Sequence, residues 1–204
     1  MKKVVAILML SLVCGLLFHP LKSATKITTT QDSAFSSIGF KTGDLVFRQG
    51  KGLVSELFRK TSKRDPRFSH AGVLVIENNV PFVFHVIGSE ENAGPAFRKE
   101  LLSHFCSKSS INSYAVYRNS LLTNREIPVR NYLNNLSNSH IVFDEQFNLD
   151  SDSQLYCSEM IYKLIRQVSG KSIPLSSYNG DEYVALDDLY FDAEYNQLLT
   201  FHKY

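Results

Sequence analysis

Residues 68–87 read Phe68-Ser69-His70-Ala71-Gly72-Val73-Leu74-Val75-Ile76-Glu77-Asn78-Asn79-Val80-Pro81-Phe82-Val83-Phe84-His85-Val86-Ile87. Two runs rich in β-branched and aromatic residues, Phe68–Ile76 and Val80–Ile87, flank Glu77-Asn78-Asn79. Asparagine tolerates positive φ, so Asn78-Asn79 predicts a tight two-residue hairpin turn. With those two residues as the loop, Glu77 pairs with Val80. Counting back along both strands sets His85 opposite Gly72 and His70 opposite Ile87. Opposed residues share a face, as do residues two apart on one strand, so His70 and His85 become diagonal neighbours with Cα atoms about 7–8 Å apart. Gly72 leaves room for an imidazole to lean across, and Pro81 falls where its missing N–H does not face the partner strand. A slip of one residue would send the two histidines to opposite faces.

Both strands are apolar on both faces, so they are buried and their histidines are at least partly buried. A lone buried histidine is more often a satisfied core residue than a functional one. Two on one face, in a chain that also offers a cysteine at a helix start, change that reading. The helix is expected over Gln154–Val168, capped by Asp152 or Ser153 and ended by Gly170, with Cys157, Ile161, Leu164 and Val168 on its inward stripe. A thiol near a helix N-terminus feels the positive end of the dipole, which favours thiolate. A neighbouring imidazole can take its proton, and a second polar group must orient that imidazole. The assignment is Cys157 as nucleophile, His70 as general base and acid, and His85 as orienting residue. The competing readings of Cys157 are a small buried hydrophobe or a disulfide to Cys106.

The remaining elements are simpler. Leu45-Val46-Phe47 reads as a short strand after Gly43-Asp44, and residues 53–61 as a helix. Residues 88–98 read as loop, 97–105 as a short helix, 111–118 as a strand and 125–136 as a helix. Ile141-Val142-Phe143 opens a further segment, and the tail after residue 181 ends in a short strand. Helices and hairpin strands are segregated rather than alternating, which predicts an α+β domain with an antiparallel sheet packed against helices.

The chain has 204 residues, 44% hydrophobic and 12% aromatic, which excludes a disordered or fibrous protein. Lys2 and Lys3 precede the apolar run Val4–Phe18, shorter than the roughly 20 residues that span a bilayer. Residues 1–24 therefore read as a secretory signal, 25–40 as a polar Ser/Thr-rich spacer and 41–204 as the domain. An uncleaved anchor is the other reading of the first segment. The expected location is periplasmic or secreted. Losing Lys2, Lys3 and Lys22 leaves the chain near neutral, so charge argues for no nucleic-acid partner.

Gly43-Asp44-Leu45-Val46-Phe47, then Phe68-Ser69-His70-Ala71-Gly72-Val73, then Phe143-Asp144 followed by Leu155-Tyr156-Cys157-Ser158-Glu159-Met160, resemble the YiiX-like proteins. These are bacterial members of the permuted papain fold, in the NlpC-type cell-wall amidase superfamily. The resemblance covers about residues 41–195, including Asp187-Asp188-Leu189-Tyr190, which is similar to a late family segment. It implies a circularly permuted papain-like fold, Cys157 as nucleophile and His70 as the family histidine. Many relatives carry an acidic residue where this chain has His85; a histidine there resembles the lecithin–retinol acyltransferase branch. Tyr156 and Ser158 flank the nucleophile as candidate substrate-binding residues, and the Cys157 amide is a natural oxyanion donor.

His70, His85 and Cys157 have the chemistry of zinc ligands, but no close ligand pair such as C-x-x-C or H-E-x-x-H is present, so no metal and no other cofactor is expected. Gly50-Lys51-Gly52 lacks the setting of a phosphate loop. The expected activity is cleavage of an amide, from a cell-wall peptide or a related amide, through a thioester. The alternatives are an acyltransferase or lipid (thio)esterase on the same triad at a membrane surface, and a catalytically idle envelope binding protein.

Overall fold

The structure, a computed structural model, describes residues 39–88 and 94–204; the expected signal and nearly all of the spacer lie outside the described residues. A six-stranded sheet dominates, built from β1 (Leu45–Gly50), β2 (His70–Glu77), β3 (Val80–Val86), β4 (Phe97–Leu101), β5 (Ile111–Asn119) and β10 (Asn196–Lys203). Its spatial order is β10-β5-β1-β2-β3-β4, and every neighbouring pair is antiparallel. The helices are α1 (Leu53–Arg59), α2 (Leu102–Phe105), α3 (Glu126–Ser137) and α4 (Cys157–Ser169). Short strand pairs β6 (Val142–Phe143) with β7 (Gln154–Leu155), and β8 (Ser176–Tyr178) with β9 (Asp181–Tyr183), complete the α+β architecture.

The β2–β3 hairpin has the register its sequence predicts: Glu77 pairs with Val80 and Val73 with Phe84. Asn78 and Asn79 adopt φ of 48° and 64°, both positive, as a two-residue turn of the primed kind requires. Gly72 is the point of closest approach. A Cβ there would collide with the Val83 side chain and stand 2.9 Å from the Phe84 carbonyl oxygen and 3.1 Å from the His85 Cβ. Backbone cannot yield as a flexible side chain would. Gly72→Ala is therefore expected to destabilise the fold by about 1–3 kcal/mol, read as a lower urea midpoint, and to push His85 out of line.

Each face of the sheet closes a core. Leu45, Phe47, Ala71, Val73, Phe84 and Val86 face α3 and α4, whose Leu133, Met160, Ile161, Leu164 and Ile165 are buried against them. Val46, Leu74, Val83, Tyr114 and Val116 face the other way, where Leu102, Phe105 and Cys106 of the α2 region cover them. By alternation, His70 and His85 project on the α2 face, and both rings lie against Phe105, with centroids 5.6 Å and 5.3 Å away.

Two expected elements are corrected. Residues 97–105 are not one helix: β4 occupies Phe97–Leu101 and pairs with β3, and only Leu102–Phe105 is helical. The helix expected from Gln154 begins at Cys157, because Gln154-Leu155 pairs in parallel with Val142-Phe143. Its N-cap is Tyr156, not Asp152 or Ser153, and the capping contact is the Tyr156 amide donating to Glu159 Oε2 at 3.3 Å. Burial pushes the Glu159 carboxyl up to about 7, against the pull of Lys163 at 3.1 Å.

Candidate active site

A cavity of about 980 Å³ opens where β1 ends, β2 begins and β3 ends. Cys157 and His70 both border it, as do Tyr156 and Ser158. Cys157 reaches it from the α3/α4 side as the first residue of α4, 8% exposed. His70 reaches it from the α2 side as the first residue of β2. The start of β2 joins the two approaches: the Ala71 amide, next in chain to His70, points at the Cys157 sulfur, as do the amides of Ser158 and Cys157 itself.

Behind His70 the diagonal pairing is realised. His70 Nε2 and His85 Nδ1 stand 2.9 Å apart, with the rings edge to face. The row continues onto β4, where Glu100 shares the His85 face because it pairs with Val83. Glu100 Oε1 lies 2.9 Å from His85 Nε2, to one side of the N–H direction, and 3.9 Å from Arg48 Nη1. Arg48 in turn pairs with His70 across β1 and β2 and stacks over the Phe105 ring at 4.3 Å. Four adjacent strands thus place Arg48, His70, His85 and Glu100 on one face.

Sequence reasoning missed Glu100, because residues 97–105 read as a helix. The three consecutive charges Arg98-Lys99-Glu100 hide the period of two, so no alternation marks this strand in the sequence. The carboxylate has a definite effect on the histidines. Its charge favours the His85 tautomer with the proton on Nε2, and in that tautomer Nδ1 accepts from His70 Nε2. In that tautomer His70 Nδ1 carries the lone pair. Burial pushes the Glu100 carboxyl up, but His85 and Arg48 outweigh it and hold it below its ordinary range. Glu100→Ala is expected to lower kcat about tenfold to a hundredfold with KM little changed, as loss of an orienting group does. Glu100→Gln, which keeps an acceptor oxygen, is expected to recover most of it; equal loss in both variants would remove the carboxylate from the site.

Burial, the Arg48 charge and His85 hold the His70 imidazole well below its ordinary 6.5. Burial also lifts the Cys157 thiol above its ordinary 9.0, although the three amides and Arg48 pull it down. Both shifts favour the neutral form of the group concerned.

Tyr156 and Ser158 border the cavity with their hydroxyls already engaged. Val184 N–H donates to the Tyr156 oxygen at 2.8 Å, and Ser158 Oγ donates to the Val184 carbonyl at 2.7 Å. They tie the tail segment to the start of α4. The other motifs are structural: Asp44 takes two bonds from Arg118, and Asp187 and Asp188 tie Arg64, Asp65, Ser176 and Ala185 together. The disulfide alternative does not hold: Cys106 and Cys157 are not joined, and each is buried in a different core.

A family model described as permuted papain-like amidase enzyme, YaeF/YiiX, C92 family, matches residues 39–182. A crystal structure described as the metalloprotein yiiX from Escherichia coli O157:H7 aligns with a TM-score of 0.57 at 19% identity, covering 80% of this chain and 98% of that one. Likeness at that identity is one of fold. Comparison with curated proteins finds no match. In this chain no group of three or more His, Cys, Asp or Glu among the described residues is arranged to hold a metal ion, and the two facing histidine nitrogens point at each other rather than at a shared centre.

Proposed function

The chain belongs to the permuted papain-like amidase family of YaeF and YiiX, a family of cysteine hydrolases of amide bonds, and from that premise we propose that Cys157, His70 and His85 form its working triad and that it acts in the cell envelope. One observation carries the triad: a helix-start sulfur and an imidazole border the same cavity, and the far nitrogen of that imidazole is held at 2.9 Å by a second histidine. The basic start and apolar run of residues 2–18 support export.

Sγ of Cys157 attacks the amide carbon while His70 Nδ1 takes the thiol proton. The developing oxyanion is received by amides at the start of α4, whose first N–H groups have no partner within the helix. His70 passes the proton to the amide nitrogen, the C–N bond breaks, and an amine leaves a thioester on Cys157. Water, deprotonated by His70, then attacks the thioester, and sulfur recovers its proton. The substrate is an amide of the envelope, a cell-wall peptide or a lipid amide in the two forms the sequence raises. Added hydroxylamine tests the reaction: it is expected to divert turnover to a hydroxamate of the acyl half. Hydrolysis with no hydroxamate at any hydroxylamine concentration would remove the thioester from the account.

A further inference from the structure

One buried ionisable group beside Cys157 takes no part in the proton transfers. Glu159 lies in the first turn of α4 and is 0% exposed. Its two carboxylate oxygens face two different partners. Oε2 accepts from the Tyr156 amide at 3.3 Å, and Oε1 stands 3.1 Å from Nζ of Lys163, one turn further along the helix. Lys163 is itself tied down, donating to the Ser151 carbonyl and, at 3.0 Å, to Asp152 Oδ1. The carboxylate therefore links the segment that leads into α4 to the second turn of that helix, with Cys157 held between.

The turn matters to Cys157 through its amides. The N–H groups of Cys157 and Ser158, the two residues between Tyr156 and Glu159, point at the sulfur. Amides so aimed favour thiolate, and they stay aimed only while the turn keeps its shape. A carboxylate can serve the Tyr156 amide and Lys163 together because each oxygen is an acceptor. A protonated carboxyl, or a glutamine, keeps one full acceptor and no charge, and turns a donor toward one of two donors. It must give up one partner. Burial lifts the Glu159 carboxyl to about 7 and Asp144 adds to that lift, while Lys163 and the Tyr156 amide oppose it. Asp144 acts from the end of β6 and Tyr132 from α3; Asp152 reaches it through Lys163, and the sheet face under α4 is apolar.

We propose that Glu159 is a positioning residue for the reaction of Cys157: paired with Lys163, its carboxylate locks the first turn of α4 so that the turn's own amides stay aimed at the sulfur. Removing the charge, by substitution or by a proton, releases that lock and leaves Cys157 in place but less reactive. This deepens the hydrolase reading and rests on it for the role of Cys157.

The test follows alkylation of Cys157 by iodoacetamide across the range from pH 5.5 to 8.5, located by peptide mass, in the full chain and in its Glu159→Gln variant. At the alkaline end the parent is expected to react about three- to thirtyfold faster, the span of a lost cap contact. Toward the acid end the two rates should converge, because protonated Glu159 resembles glutamine. The parent curve alone should steepen near pH 7 beyond the roughly tenfold per pH unit that one ionisation allows, a result independent of how the variant folds. Glu159→Gln combined with Lys163→Met frees the glutamine oxygen for the Tyr156 amide and is expected to recover most of the rate. A parent-to-variant ratio constant across the range, or a double variant no faster than the single one, overturns the proposal. With p-nitrophenyl acetate the same partial step should appear in kcat, above the limb set by His70, with KM little changed. Hydrolysis lost in Cys157→Ala together with a constant alkylation ratio overturns the lock and keeps the hydrolase. A graded ratio with no hydrolysis overturns the hydrolase and keeps the lock.

Discussion

Replacing Cys157 with alanine is expected to lower kcat/KM by about 10,000-fold or more, because the neighbouring hydroxyl at the start of α4, Ser158 Oγ, is spent on the Val184 carbonyl at 2.7 Å. The loss should lie in the chemistry and not in the fold. Cys157 is the first helical residue and its side chain borders a cavity, so removing one sulfur costs little packing. The far-ultraviolet dichroism and urea midpoint should stay close to those of the parent. Cys157→Ser separates nucleophile from mere bulk: a serine hydroxyl fills the space but ionises far less readily than a thiol, so it should be nearly as inactive. Activity within tenfold of the parent in either variant would place the nucleophile elsewhere.

The second large effect falls on His70. His70→Ala is expected to cost about 100- to 10,000-fold in kcat/KM, the usual range for a positioned general base. Its pH dependence carries the sharper information. His70 must be neutral to accept a proton, and burial holds its pKa well below 6.5, so the parent's acid limb should lie below pH 6.5 and activity should persist above it. In His70→Ala that limb should vanish. The residual rate should instead climb as hydroxide generates thiolate, at a pH above the ordinary thiol value of 9.0, since burial raises the Cys157 pKa. An unchanged acid limb in the variant would assign the base to another group.

The hairpin was legible because its signals agree: Asn78-Asn79 demands a primed turn, Gly72 makes room, and a slip of one residue would part the two histidines. The helix start was displaced because Gln154, Leu155 and Tyr156 suit a helical stripe as well as Cys157 does; a two-residue parallel pairing with Val142-Phe143, far off in sequence, decides otherwise. That pairing brings Cys157 to the first position of the helix, where the dipole acts on it most strongly. Glu100 was hidden for a related reason, since its role appears only when residues 97–101 form a strand beside β3. Nor does the sequence reveal that sulfur and imidazole approach from opposite faces of the sheet. That follows from where α4 packs, a matter of long-range contacts that no local pattern encodes.

The engaged hydroxyls of Tyr156 and Ser158 show how residues flanking a candidate nucleophile serve architecture. Both grip Val184, so the tail beyond β9 is fastened to the helix that begins at Cys157. The same fastening defines one side of the cavity, because Val184 and Leu186 border it too. Side chains that flank Cys157 in sequence thus shape the cavity it borders.

The most direct test is the mass of the enzyme quenched in acid during turnover of an amide or activated ester substrate. A gain equal to the acyl group, located on the peptide containing Cys157 and reversed by hydroxylamine, is the predicted result. Turnover with no such gain, or with the acyl group on any other residue, would contradict the pairing of Cys157 with His70.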